Sequence, residues 1–343
     1  MPTACIQLPG SKISLESEHL VIAIPASDDG SPRETRRDIP LRDLERMVMG
    51  EGVSATTPAL MEMLRRHIPI SFIDGCGRFL GSFQPAAPDH GAARLRQYRC
   101  TLDPAFGLLI ATKVIVAKIY NQRRLLQRVA ANRKAENLPV PELIPGTLDA
   151  LDRSMNAAGH ATDLDSLRGH EGIAAARYFS AWAALLPDTF PFERRSTRPP
   201  LNAVNAVISF SSTLIYSETH AFLHAHGLDP ALGLLHTTEN GRWSLALDLM
   251  EPFRPVIAEA LTLDLFSHRM LNEKHFEPQN GGIYLTKDGR AKLILQYEKR
   301  MERQFLSEVA GHRTTLRQQL ENHAIQFKSA LDQPGLFEPF LMN

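Results

Sequence analysis

The stretch "FGLLIATKVIVAKIYNQRRLLQRVA", Phe106 to Ala130, decides the fold class. Its apolar residues suit helical spacing, and its basic residues gather toward the C-terminal end, so it predicts one long amphipathic helix. Helical periods begin near Ala93 and continue to the far end of the chain. Further helical segments are expected near 147–160, 168–186, 201–226, 249–272 and 288–325. A polar break with three prolines, "KAENLPVPELIPG" (Lys134–Gly146), follows the long helix. "RWSLAL", Arg242–Leu247, reads as a short strand or turn between two helices. The tail "DQPGLFEPFLMN", Asp332–Asn343, is expected to fray or to dock in extended form.

Upstream of Phe106 the period changes. "KISLESEHLVIAIP", Lys12–Pro25, alternates and then turns continuously apolar, as strands do. "IPISFID" and "GRFLGSFQ" are strand-like runs around the turn "GCG", a hairpin candidate. Between these regions "TTPALMEMLRRHI" carries Leu60, Met63 and Leu64 at helical spacing, with Thr56 or Thr57 as its cap. "QPAAPDHGAA", Gln84–Ala93, reads as a linker. The expected class is α+β: a small β-strand-rich N-terminal domain (1–88), a larger α-helical domain (89–325) and a tail (326–343).

Composition narrows the function classes. Hydrophobic residues make up 43% and charged residues 22% of 343, the mix of a folded globular chain. No uninterrupted apolar run approaches the roughly 20 residues of a membrane span, so no membrane partner is expected. The N-terminus lacks the basic start and apolar stretch of a signal peptide. Cys5, Cys76 and Cys100 stand apart, which argues against a disulfide scaffold and a thiolate zinc site; Cys76 reads as structural. Lys+Arg and Asp+Glu are both 38, so any nucleic-acid contact must rest on local clusters.

Three places bear candidate chemistry. In "SLALDLMEPFRP", Ser244–Pro255, Asp248 and Glu251 stand three apart in an apolar run. The plain reading is a capping box at a helix start, with Pro252 tolerated in the first turn. "RGHEGIAAARYFSAW" places Glu171 ahead of an apolar helix face, as a cap or a ligand. It is no zincin motif, because position 174 is Ala rather than His. "GLDPALGLLHTTENGRW" ends an apolar run on His236, a residue type more often satisfied in a core than ligating. If the three segments met, two carboxylates and an imidazole would suit Mg²⁺ or Mn²⁺ and leave open positions for substrate. A competing cluster, Glu218, His220, His224 and His226, offers zinc-like spacing but reads first as a polar helix face.

The ordered segments "HEGIAAARYF", "RPPLNAVNAVISFSSTLIYSE", "GLDPALGLLHTTENGRWSLALDLMEPFRP" and "GGIYLTKDGRAKLILQYEKR" resemble the CRISPR-associated Cas1 family of adaptation-stage integrases and endonucleases. The resemblance extends upstream and covers roughly Ile6 to Arg317, with "LALDLMEPFRP" its most specific piece. It implies a β-rich N-terminal dimerisation domain and a helical catalytic domain. It implies metal ligation of Mg²⁺ or Mn²⁺ by Glu171, His236 and Glu251, with Asp248 a supporting acid and Tyr216 an auxiliary residue near DNA. Asn205 matches a helix-start polar position near the site and is counted among the expected DNA contacts. "SFSS", Ser209–Ser212, departs from the aromatic–glycine pair common in the family.

The implied reaction is metal-dependent transesterification that inserts short double-stranded DNA fragments into a CRISPR repeat array, with nuclease activity when water replaces the attacking hydroxyl. The implied partners are DNA, a second copy of the chain and the small protein Cas2, in a prokaryotic cytoplasm. Arg194, Arg195, Arg198, Arg242 and Arg254 are the expected phosphate contacts, while Arg123, Arg124 and Arg128 read equally as solvated. Two rival readings are a nuclease of branched or damaged DNA without integration and a non-catalytic DNA-binding scaffold.

Overall fold

The computed structural model describes residues 3–25, 35–75, 79–86, 91–307 and 311–343, so Cys76 and part of the expected linker lie outside the described residues. The chain divides into two compact units, Met1–Pro88 and Asp89–Asn343.

The first unit is strand-rich. β1 (Thr3–Ile6), β5 (Arg46–Gly50), β7 (Ile70–Ile73) and β8 (Phe79–Phe83) form one sheet in the order β1-β5-β7-β8. Its first two pairings are parallel and the last is antiparallel. A second sheet runs β4 (Thr35–Pro40), β3 (His19–Ile24), β2 (Lys12–Glu16) and β6 (Ser54–Ala55). The apolar run after Lys12 is therefore a hairpin, turned where Ser17 takes a left-handed φ of 54°. α1 (Thr57–Arg65) starts at Thr56, whose side chain makes no cap bond, and buries Ala59 and Met63. Those residues join Ile13, Leu20, Ile22, Met47 and Ile70 in one core.

The second unit is helical: α2 (Gly91–Thr101), α3 (Pro104–Ala135), α4 (Leu143–Gly159), α5 (Leu164–Ala183) and α6 (Ala203–Ala225). α3 is the 32-residue helix that Phe106–Ala130 predicted, started by Asp103, whose carboxylate accepts from Ala105 N at 2.9 Å. By length and composition it could cross a bilayer, which a count of uninterrupted apolar residues missed. It instead buries Ile110, Val114, Ile115 and Leu126 together with Lys118, Asn121 and Gln122, as a core helix does. The α+β class expected from the sequence is the class observed.

Two helical expectations change. The segment 249–272 is not one helix: α7 (Ser244–Met250) passes through a 3₁₀ turn at Glu251–Phe253 and a π turn at Pro255–Glu259 before α8 (Ala260–Ser267). Pro252 and Pro255 lack N–H donors, so the i→i−4 ladder fails twice within four residues. The segment 288–325 is two helices, α9 (Lys287–Glu302) and α10 (Leu316–Ala330). β9 (Phe276–Gln279) and β10 (Gly282–Leu285) form a hairpin before α9. A short ribbon, β11 (Phe305–Leu306) with β12 (Arg313–Thr314), separates α9 from α10, and Thr315 with Gln318 forms the capping box that starts α10.

Beyond α10 the chain docks, burying Phe337 and Phe340. Asn121 on α3 fastens both the tail and the Glu251 turn. Its amide donates to Pro252 O at 2.7 Å and Phe340 O at 2.9 Å, and its oxygen accepts from Met342 N at 2.7 Å. A buried amide with three partners holds this turn against the core helix.

Candidate active site

Three elements of the helical unit bring charged side chains to one point. α5 carries Glu171, the 3₁₀ turn after α7 carries Glu251, and α3 carries Lys118 between them. The Lys118 ammonium lies 2.6 Å from Glu171 Oε1 and 2.6 Å from Glu251 Oε2. Glu251 is buried, and its other oxygen accepts from Arg254 Nη1 at 2.9 Å. Burial alone would raise the Glu251 carboxyl, but Arg254 and Lys118 more than offset it and hold it well below the usual carboxylate range. Burial likewise opposes the Lys118 charge, and Glu251 and Glu171 restore it, leaving the ammonium above its ordinary value.

Asp248 has a different task from the one its spacing suggested. It sits inside α7, not at a helix start, so D-x-x-E is not a capping box here. Its Oδ2 accepts from the backbone N–H of Leu234 at 2.6 Å and Leu235 at 3.0 Å. Its Oδ1 accepts from His236 N at 3.0 Å and lies 2.6 Å from His236 Nδ1. One buried carboxylate therefore gathers three consecutive amides and an imidazole.

The loop bearing His236 is pinned from the other side by Arg168, one turn before Glu171 on α5, whose Nη2 donates to Leu235 O at 2.6 Å. Close approach also demands a glycine: a Cβ on Gly233 would stand 2.4 Å from both His236 O and Ser244 Cβ. His236 lies close enough to Glu251 to act on its carboxyl, after Arg254 and Lys118. Its Nε2 makes no hydrogen bond within the described residues.

Tyr216 serves the same frame. Its hydroxyl accepts from Trp243 N, at the start of α7, at 3.2 Å, and its ring stacks on Trp243 with centroids 5.9 Å apart. Burial raises its hydroxyl pKa. Arg194 and Arg198 are exposed, and Arg242 is half-buried, 3.6 Å from Glu239.

Asn205 is fully buried. It accepts from Ser196 N at 2.9 Å and Arg195 Nη1 at 3.0 Å, and donates to Arg194 O at 2.9 Å. Arg195 also donates to Ser209 Oγ at 3.1 Å, which gives the "SFSS" departure a local role. Burial first, then the charge of Arg254, pulls the Arg195 guanidinium down to about 10. Asn205 and Arg195 thus face the loop 194–196 rather than open solvent. Of the basic residues on α3, Arg123 pairs with Asp152 at 2.7 Å.

Sequence reasoning missed Lys118, Arg168 and Glu259. The available signal for Lys118 was a lysine among Val114, Ile115 and Ile119 on a helix face that must be buried. Glu259 closes the π turn fully buried; burial raises its carboxyl, against the pull of Arg254. The zinc-like histidine cluster disperses. Glu218 accepts from Tyr297 and Arg317, His226 faces Glu321 at 3.1 Å, and the His220 ring stacks on Trp243 at 3.7 Å. Glu218 and His220 are buried, so the polar helix face expected there is packed inward at these two residues.

Fold and site together define an α+β protein whose helical unit holds a partly buried centre of two carboxylates, a lysine and an aspartate-held imidazole. The sequence model of the family described as CRISPR associated protein Cas1 matches residues 4–299. A CRISPR-associated endonuclease Cas1 of Thermus thermophilus is 32% identical over 310 residues, 90% of this chain and 89% of that relative. A Cas4 exonuclease/Cas1 endonuclease fusion of Rhodospirillum rubrum is 34% identical over 327 residues, 93% of this chain and 53% of the fusion. The chain thus spans about half the length of such fused relatives. Among solved structures, a Cas1 protein from Thermotoga maritima superposes with a TM-score of 0.79 at 23% identity, covering 100% of this chain and 99% of that one. A Cas6–reverse transcriptase–Cas1 chain, from a complex with Cas2, gives 0.80 at 25% identity over 100% of this chain and 36% of that one. The chain belongs to the CRISPR-associated Cas1 family.

The residues fit a divalent cation, although among the described residues no three His, Cys, Asp or Glu side chains form a ready-made metal cluster. Two carboxylates from different helices already converge on one positive group, the Lys118 ammonium. The imidazole is held through Nδ1 by a carboxylate, the arrangement that leaves Nε2 available to ligate. Oxygen donors with one imidazole match Mg²⁺ and Mn²⁺.

Proposed function

We propose that this chain joins short DNA fragments into a CRISPR repeat array, and that Glu171, His236 and Glu251 hold the Mg²⁺ or Mn²⁺ the reaction uses. The observation that carries this reading is the convergence of Glu171 and Glu251 on one cation beside an imidazole aligned by Asp248, in a chain of the Cas1 family. When bound, the ion would neutralise charge developing on the phosphoryl oxygens. Family membership and the endonuclease names of its relatives support DNA as the substrate, and the likeness to a Cas1 chain complexed with Cas2 supports Cas2 as a partner.

In the joining step, a fragment's 3′-oxygen forms a bond to phosphorus at the repeat border as the bond from phosphorus to the leaving 3′-oxygen breaks. The attacking hydroxyl releases its proton and the leaving oxygen gains one, so the step is balanced without a covalent protein intermediate. With water as the attacking group, the same geometry gives hydrolysis. Asp248, bonded at Nδ1, orients the His236 ring and leaves Nε2 as the nitrogen free to ligate. Arg254 steadies Glu251 from the side away from Lys118. Arg194, Arg198 and Arg242 contribute phosphate contacts, while Arg195 and Asn205 hold the loop that carries two of them. A second copy of the chain, joined through the strand-rich unit, would supply a second centre for the second end.

The test is strand transfer with a labelled duplex bearing free 3′-hydroxyls, a repeat-containing plasmid, Mg²⁺ or Mn²⁺, and Cas2. Joined product is expected from the wild type and not from Glu171→Ala, His236→Ala or Glu251→Ala. Cleavage without joining would leave a nuclease of another DNA substrate, and DNA binding without metal-dependent chemistry would leave a scaffold.

A further inference from the structure

Both oxygens of Glu251 are already taken by cations, Oε1 by Arg254 at 2.9 Å and Oε2 by Lys118 at 2.6 Å. Lys118 also holds Glu171 at 2.6 Å, whereas no contact joins Arg254 to Glu171 at bonding distance. The ammonium therefore stands at the position the two acids share. Without any added ion, Glu171 and Glu251 thus already face one ammonium and one guanidinium. A divalent ion ligated by both acids needs oxygens about 2.0–2.2 Å away, and an ammonium in contact with the same oxygens would stand against two like charges at close range.

We propose that Lys118 is a built-in competitor for the metal, filling the cation position between Glu171 and Glu251 and leaving it when the divalent ion binds. This rests on the metal reading above. Three physical points support it. Lys118 comes from the core helix α3, so its attachment point is fixed while its four-carbon stem can swing. It is buried, and so is Glu251, and this one contact gathers the two acids when no metal is present. Arg254 is the less suitable group to displace, since its guanidinium is held by Glu251 and also feels Glu259 and Glu171. The consequence is a metal affinity set by exchange of one cation for another, with the acids never left bare.

The first test is manganese binding by isothermal titration calorimetry on the full chain without DNA, comparing wild type, Lys118→Met and Glu171→Gln. Lys118→Met is expected to bind manganese about tenfold more tightly or better, because the competitor is gone, and to melt at lower temperature without the ion. Its melting temperature should then rise with manganese by more than the wild type's does. Equal or weaker binding by a folded Lys118→Met would overturn the proposal while leaving the metal site standing. Manganese binding that Glu171→Gln leaves unchanged, or no binding by any protein, would remove the metal reading and the proposal with it.

A second measurement uses the wild type alone, so it holds even if Lys118→Met fails to fold. Acylation of Lys118 by an amine-reactive anhydride, followed by peptide mass spectrometry, should be slow without metal and several-fold faster at saturating Mg²⁺. Unchanged or slower labelling, with metal binding shown in parallel, would overturn the displacement.

Discussion

The carboxylate of Asp248 lies 2.6 Å from His236 Nδ1 and also accepts the backbone amides of Leu234, Leu235 and His236. One side chain therefore sets both the path of the loop and the direction of the imidazole it carries. Asp248→Asn keeps the shape but offers the ring only a weaker acceptor or a clashing donor. Manganese affinity is expected to fall roughly 10–100-fold, as for other partners of ligating histidines. Stability should fall by about 1–3 kcal/mol, from weakened bonds to buried amides. Calorimetric titration and thermal melts read the two effects separately, and unchanged affinity would show that the ring does not depend on Asp248.

Arg168 anchors the same loop through the Leu235 carbonyl, without touching His236 or either glutamate. Its side chain is 40% exposed, so its loss should cost little global stability. Arg168→Met is expected to lower strand transfer by roughly tenfold, the effect of a small misplacement of a reacting group, with the melting temperature nearly unchanged. Single-turnover joining rates measured beside thermal melts provide the check. A large drop in melting temperature would mean that the arginine is a fold determinant instead.

Glu171, His236 and Glu251 were singled out as a set by the family resemblance rather than by their spacing, and Lys118 was singled out by neither. Glu251 interrupts an apolar run, where an acid needs a partner or a purpose, and Glu171 stands just ahead of one. A lysine four residues from Gln122 on an amphipathic helix can equally snorkel to solvent, and only the packing of α5 and the 251 turn on α3 decides that it does not. Asp248 was misread because a three-residue spacing serves a capping box and a loop clamp alike; the choice depends on whether a helix starts at Asp248 or four residues earlier. The two prolines were read as marking a helix start, but a helix start, a 3₁₀ turn and a π turn share that signal. Alternation against helical period separated the strand-rich and helical parts because it depends on each segment's own solvent face, which needs no distant contact to read.

A pH dependence follows from His323 on α10. It is buried under α7, with Nδ1 2.9 Å from Leu249 O and its ring stacked on Phe337 at 4.9 Å. Burial pulls its pKa from 6.5 down to about 4, against the smaller upward pull of the Leu249 carbonyl. Between those values the unfolded chain takes up a proton that the folded one refuses. Stability from the buried neutral ring is thus complete above about pH 6.5 and is lost as pH falls toward about 4. The loss amounts to roughly 3 kcal/mol for the full interval. Urea unfolding of wild type and His323→Phe at pH 7.5 and 4.5 checks this. The variant's drop between the two pH values should be smaller than the wild type's, and parallel drops would assign the acid sensitivity elsewhere.

Arg198 and Asn205 stand seven residues apart at the start of α6 and should fail in opposite ways. Arg198 is exposed, and the proposed reading makes it a phosphate contact. Arg198→Ala should weaken DNA binding on every sequence and flatten the plot of log affinity against log salt by about one unit, with no change in melting temperature. Asn205 is buried, with three bonds to Arg194, Arg195 and Ser196. Asn205→Ala strands those partners, so the free protein should lose about 1–3 kcal/mol. Its DNA affinity should fall through disorder of the loop, and Asn205→Asp should recover part of the stability by accepting again from Ser196 and Arg195. The crossed pattern matters because either residue alone could weaken binding for several reasons. If Asn205→Ala melted like the wild type while losing DNA affinity, the amide would be contacting DNA after all. If Arg198→Ala lowered the melting temperature, its charge would be serving the fold rather than the phosphate backbone.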